Sequence, residues 1–174
     1  MIRRVSSLSM TALLIACARA AAPAPDAGET SELRTRRNLA VTSERVSASS
    51  SRIWKAMPTA FKALGYEGKA SATEEMTFVT PPLRITGRLY DDELNSKYLD
   101  CGRTPAGGLA ADLYGVTFAV FVKVVPVVAD ASMIEARIDG VARTRNETSG
   151  RNRCFGTGKL EKVFIDAIKR SLGG

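Results

Sequence analysis

Three groups of residues in this chain of 174 carry side chains that could do chemistry. The densest is Asp91-Asp92-Glu93 followed by Lys97, Tyr98 and Asp100, where close carboxylates could hold Ca²⁺ or serve as an acid and base pair. The run lacks the alternating oxygen ligands and the glycine of a calcium loop, and neighbours on a strand point to opposite faces, so a solvated turn is expected. The second group is Gly156-Thr157-Gly158-Lys159, just ahead of a helical stripe. A Walker loop needs a glycine separated from its Gly-Lys pair by four residues and a hydroxyl after it, but Arg153 and Leu160 stand there. The segment is therefore expected to cap the last helix, while an anion at its N–H groups, with Arg151 and Arg153 nearby, stays open. The third group is basic: Arg137, Arg143, Arg145, Arg151 and Arg153.

Composition removes much of the remaining enzymology. Twenty-five Lys and Arg stand against 18 Asp and Glu, a net charge of +7, and there is no histidine. A His-based triad, a His general base and a His-ligated zinc are excluded. We expect no catalytic residues, no metal and no cofactor, and a protein that is not an enzyme. Nucleic acid as a partner would need interleaved surface aromatics and a cytosolic address, and both are missing. Anionic lipid, envelope polysaccharide or an acidic protein surface suit the arginines better.

The address is read from the N-terminus. Arg3 and Arg4 precede a short apolar run from Leu8 to Ala16, which Arg19, Pro23 and Pro25 stop well before the roughly 20 apolar residues of a membrane span. Residues 1–16 are expected to be a signal peptide. Leu14-Ile15-Ala16-Cys17 resembles the bacterial lipobox, and that resemblance implies a diacylglyceryl thioether on Cys17, the lipid anchor. Cleavage at Ala18-Arg19-Ala20 is the alternative; it would discard Cys17 and release a soluble periplasmic or secreted protein. Loss of residues 1–16 takes Arg3 and Arg4 away and lowers the charge from +7 to +5. With Cys17 acylated, Cys101 and Cys154 remain as an even pair in an oxidising compartment, and a structural disulfide between them is expected. Residues 17–37, rich in Ala, Pro and charge, are expected to form a lipidated flexible tether.

Residues 38–174 are expected to form a single domain. Asn38 to Ser49 has the pattern of a strand with an irregularity near Ser43. Ile53, Trp54, Met57, Ala60, Phe61 and Leu64 recur at helical spacing up to Gly65, with Pro58 inside the run. Period-two segments follow at 77–79 and 83–90, a mobile loop at 103–111, and a long antiparallel hairpin from about 112 to 139. Leu160, Val163, Phe164, Ala167 and Ile168 mark a C-terminal helix. The expected fold class is α+β: a curved antiparallel sheet of about 4–6 strands with two helices packed on one face.

That order of elements resembles the helix-grip domains. With the lipobox it resembles the small NlpB/DapX-type lipoprotein of the outer-membrane β-barrel assembly machinery. The likeness covers the anchor, the tether and the elements from Asn38 to Leu172, without a shared motif, so no binding residue is carried over. Some relatives have two such domains where this chain has room for one. The resemblance implies a non-enzymatic accessory or protein-interaction module, anchored in the outer membrane and facing the periplasm, with envelope proteins or an anionic envelope surface as partners. The alternative is a binding module for an apolar ligand held between sheet and C-terminal helix.

Overall fold

The computed structural model describes residues 40–144 and 151–173, all within the unit Ser31–Gly174. The expected signal peptide, Cys17, the tether and Arg145 lie outside the described residues. In chain order the elements are β1 (Thr42–Val46), α1 (Ser50–Ala63), β2 (Lys69–Ala70), β3 (Thr77–Val79), β4 (Leu83–Thr86), two 3₁₀ turns (Tyr90–Asp92 and Asn95–Lys97), β5 (Leu99–Asp100), α2 (Ala110–Leu113), β6 (Gly115–Val128), β7 (Ala131–Arg143), β8 (Arg151–Gly156) and α3 (Lys159–Leu172).

The strict alternation of β6 sends Val116, Phe118, Val120, Val122 and Val124 to one side, and β7 answers with Ile134, Ala136, Ile138 and Ala142. The two strands pair antiparallel from Gly115 opposite Arg143 to Val128 opposite Ala131, with a register shift after Pro126. This hairpin is the spine of the sheet. The outer edge of β6 is divided between β4 at Gly115–Phe118 and β3 at Phe121–Lys123. That of β7 is divided between β8 at Asp139–Arg143 and β1 at Ser132–Ala136. With β2 beyond β3 and β5 beyond β8, eight strands join one sheet that does not close.

Three expectations are corrected here: the sheet, the number of helices and the course of β1. The fold is α+β, but the sheet has eight strands and is neither curled nor closed, and three helices form, where 4–6 curved strands and two helices were expected. Its flanks consist of short strands placed end to end along the hairpin, so no long outer strand carries the sheet around the helices. The extra strands include β2 and β5, of two residues each, and β8, whose Arg-Asn-Arg start hides its alternation. The extra helix is α2, a single turn that starts at the end of the segment expected to be a mobile loop and runs into the expected start of the hairpin. The irregularity near Ser43 is absent too: β1 keeps an unbroken register with β7 from Thr42 to Val46.

Helices α1 and α3 cover the apolar side of the spine. From α1 come Ile53, Met57, Ala60 and Phe61; from α3, Leu160, Phe164, Ile165, Ala167 and Ile168. Phe61 meets both Phe78 and Phe164 edge-on at 4.9 Å between ring centres. α1 runs through Pro58 and ends in a left-handed Gly65 (φ 78°), where Tyr66 N–H donates to the Phe61 carbonyl at 3.0 Å. A β-carbon would be strained in that conformation, which is why the stop falls on glycine. Among the described residues no helix is long and apolar enough to cross a membrane.

Candidate binding site on the open sheet face

Because strand side chains alternate, covering one face with helices leaves the opposite face of the spine to the residues in between. Register places these in rows that cross four strands. One row runs Thr86, Gly115, Arg143, Arg151; the next runs Arg84, Thr117, Val141, Arg153. At about 4.8 Å between strands each row spans about 14 Å, and the two rows lie about 7 Å apart. Arg84, Thr86, Gly115, Thr117, Val141, Arg143 and Thr144 line a cleft of about 790 Å³. Among the described residues no carboxylate lines it. The guanidinium groups of Arg84, Arg143 and Arg151 form no ion pair with a described residue.

Further along the same face the charges are already matched. Arg137 donates from both terminal nitrogens to the Glu74 carboxylate (2.7 and 3.2 Å) and from Nε to Asp139 (3.4 Å). Its guanidinium stacks on Phe121, 4.3 Å from the ring centre. The hydrogen bond from Arg137 holds the Glu74 carboxyl below the usual carboxylate range. Arg137 is thus a structural clamp, and it separates from the other arginines named in the sequence.

The acidic run does not assemble a site. Asp91 and Asp92 are exposed on the first 3₁₀ turn, both at positive φ. Asp92 lies 3.6 Å from Arg88, and Glu93 accepts from Lys97 at 2.7 Å one helical turn on. Asp100 accepts the Gly102 N–H at 2.9 Å. Among the described residues no three metal-ligating side chains cluster. Tyr98 is buried and stacks edge-on against Tyr90.

At Gly156-Thr157-Gly158-Lys159 two of the N–H groups that could hold an anion are already engaged. Thr157 N–H donates to the Tyr98 carbonyl (3.0 Å) and Gly158 N–H to Glu161 Oε2 (3.1 Å). The acceptor at the N-terminus of α3 is the protein's own side-chain carboxyl. Gly158 is the N-cap at φ 90°, so Glu161 makes one half of a capping box and the glycine has no side chain to return the other. Arg151 and Arg153, expected beside this anion position, stand on the open face instead.

Glu161 itself was not singled out for burial. It is fully buried, its Oε1 has no partner, and it fills the hollow left by Gly156, where a β-carbon would overlap that oxygen. Burial pushes its carboxyl up to about 7, against the N–H groups of Glu161 and Gly158 that favour the charged form. Cys101 and Cys154 form a disulfide that ties the end of β5 to β8, and Asn152 Nδ2 donates to the Cys101 carbonyl at 3.1 Å beside it.

Sequence reasoning did not pick out Arg84, Thr86 and Thr117 as site residues. The available signal was the alternation of 83–88, which puts Arg84 and Thr86 on the polar side of a strand. Only the pairing of β4 with β6 brings them to Arg143. The layer between sheet and helices, where the alternative reading holds an apolar ligand, is filled: Val116, Phe118, Val120, Val122, Ile134, Ile138, Ile53, Met57, Leu160 and Phe164 are all at most 1% exposed.

No family model and no curated protein matches the chain. Among solved structures it is similar to an uncharacterized protein from Bacillus thuringiensis, at 12% identity and a TM-score of 0.29, over 76% of this chain and 93% of that one.

Proposed function

We propose that this chain is a non-enzymatic accessory module of the cell envelope, held at the membrane through a lipid on Cys17, which works by contact between its open sheet face and an anionic envelope partner. The observation that carries the reading is the division of the sheet. One face is spent on a filled core, and the other presents Arg84, Arg143 and Arg151 around a cleft whose described lining has no acid. A filled interior favours contact at the surface over an apolar ligand held inside. The Cys101–Cys154 bridge supports an oxidising compartment, and the lipobox-like Leu14-Ile15-Ala16-Cys17 supports the anchor.

Intact-mass measurement of the chain made in an exporting bacterium tests the address. The expected species begins at Cys17, carries diacylglycerol mass and gains two hydrogens on reduction. Cys17→Ala is expected to lose the lipid mass and leave the membrane fraction. A mature mass beginning at Ala21, without lipid, would replace the anchored reading by the soluble one; an uncleaved chain with free thiols would overturn both.

A further inference from the structure

We propose that the open-face cleft is a binding site for a ligand bearing more than one phosphoryl group, with Arg84 and Arg143 as the two grips and Thr86 and Thr117 as hydroxyl donors on the floor. The inference rests on the open face being the contact surface, and it names what that surface takes. Arg84 and Arg143 sit on β4 and β7, on either side of β6, so their attachment points are two strands, about 10 Å, apart across the sheet. Between them lie Gly115, which has no side chain, and Thr117. The floor is low and the walls are cationic.

Charge alone would suit any anion, and the donor geometry narrows the choice. Strand side chains stand roughly perpendicular to the sheet, so the threonine hydroxyls approach a seated group from below while guanidinium forks reach it from two sides. A tetrahedral phosphoryl group offers acceptor oxygens in all those directions, whereas a planar carboxylate accepts mainly in its own plane. Docking of a protein surface usually centres on aromatic or aliphatic anchors in dry pockets, and Val141 is the one large apolar side chain among the described lining residues. A neutral sugar would want an aromatic platform, and the lining has none. Arg151 beside Arg143 extends the positive field and suits a ligand with several charges.

The test uses the purified full chain, isotopically labelled, titrated with inorganic tripolyphosphate and followed by amide resonances. The expected result is shifts at Thr86, Gly115, Thr117 and Val141, saturable and weakened by salt. Arg84→Gln and Arg143→Gln should each weaken binding about tenfold, the equivalent of one good charged contact, while Lys62→Gln on the outer surface of α1 should not. Vesicles containing cardiolipin, whose headgroup carries two phosphoryl groups, that compete with tripolyphosphate would make a lipid headgroup the source. Failure of vesicles to compete would make it a soluble phosphate, and both results support phosphoryl recognition. Equal binding of polyglutamate at the same residues would overturn phosphoryl recognition and leave the open face as a general acidic-partner surface. Absence of shifts on these rows, or equal weakening by Lys62→Gln, would overturn the open face as well.

Discussion

Glu161 is a carboxyl that the fold protonates. Its ordinary value is 4.5 and its buried value about 7, so the native state keeps a proton that the unfolded chain has released. Between those two values the folded form binds more protons, and stability falls as pH rises from about 4.5 to about 7, then levels off. The loss is about 3 kcal/mol by the linkage relation. No histidine contributes to this window, because the chain has none, and Glu74, held low by Arg137, acts at more acid pH. Glu161→Gln should flatten the melting temperature across this range; an unchanged slope would place the titration elsewhere. Gly156→Ala should force the Glu161 side chain out of its hollow and destabilise the native state. A double mutant with Glu161→Ala should recover part of that loss, a coupling that a thermodynamic cycle would read directly. None of this was legible from spacing, because only the approach of β8 to α3 encloses Glu161.

At the scale of elements, the long periodic segments were readable and the short ones were not. α1, α3 and the β6–β7 hairpin announce themselves because a dozen residues repeat one period, and their buried faces follow the expected lines from Ile53 to Phe61 and from Val116 to Val124. β2 and β5 have two residues each and owe their existence to a neighbour's free edge. α2 follows the Gly107-Gly108 turn that made the loop look mobile, yet its segment is fastened: Asn95 Nδ2 donates to the Ala111 carbonyl at 2.9 Å, and Ser96 N–H to Asp112 at 2.7 Å. The arginine rows were hidden for the same reason, since β8 was not recognised as a strand and its alternation could not be added to that of β7. Two elements invite quantitative tests. The Cys101–Cys154 link closes a separation of 53 residues, so denaturant unfolding with and without reductant should differ by about 4 kcal/mol in the loop-entropy account. Phe164 joins α3 to Phe61 and Tyr66; Phe164→Ala should cost about 4 kcal/mol, because the rings around it cannot close the gap.

Over the whole molecule, stability and contact are assigned to opposite faces of one sheet, and that division is itself measurable. On the helix side several charges serve the fold: Lys169 pairs with Glu44, and Lys162 with Asp166 at 3.3 Å. Among the described residues Arg84, Arg143 and Arg151 have no such pairing, and like charges gathered around the cleft repel one another. Replacing Arg84, Arg143 and Arg151 together by Gln should therefore leave the unfolding free energy within about 0.5 kcal/mol per site of the parent, or raise it, as for surface positions without structural partners. The same triple variant should lose its affinity for the anionic partner and the steep salt dependence of that affinity. Arg137→Gln, on the same face but engaged with Glu74, Asp139 and Phe121, should do the reverse, lowering stability while sparing anion binding. A triple variant that melts early would mean that these arginines hold the sheet together, and the face would then lose its standing as a contact surface whatever the N-terminus carries.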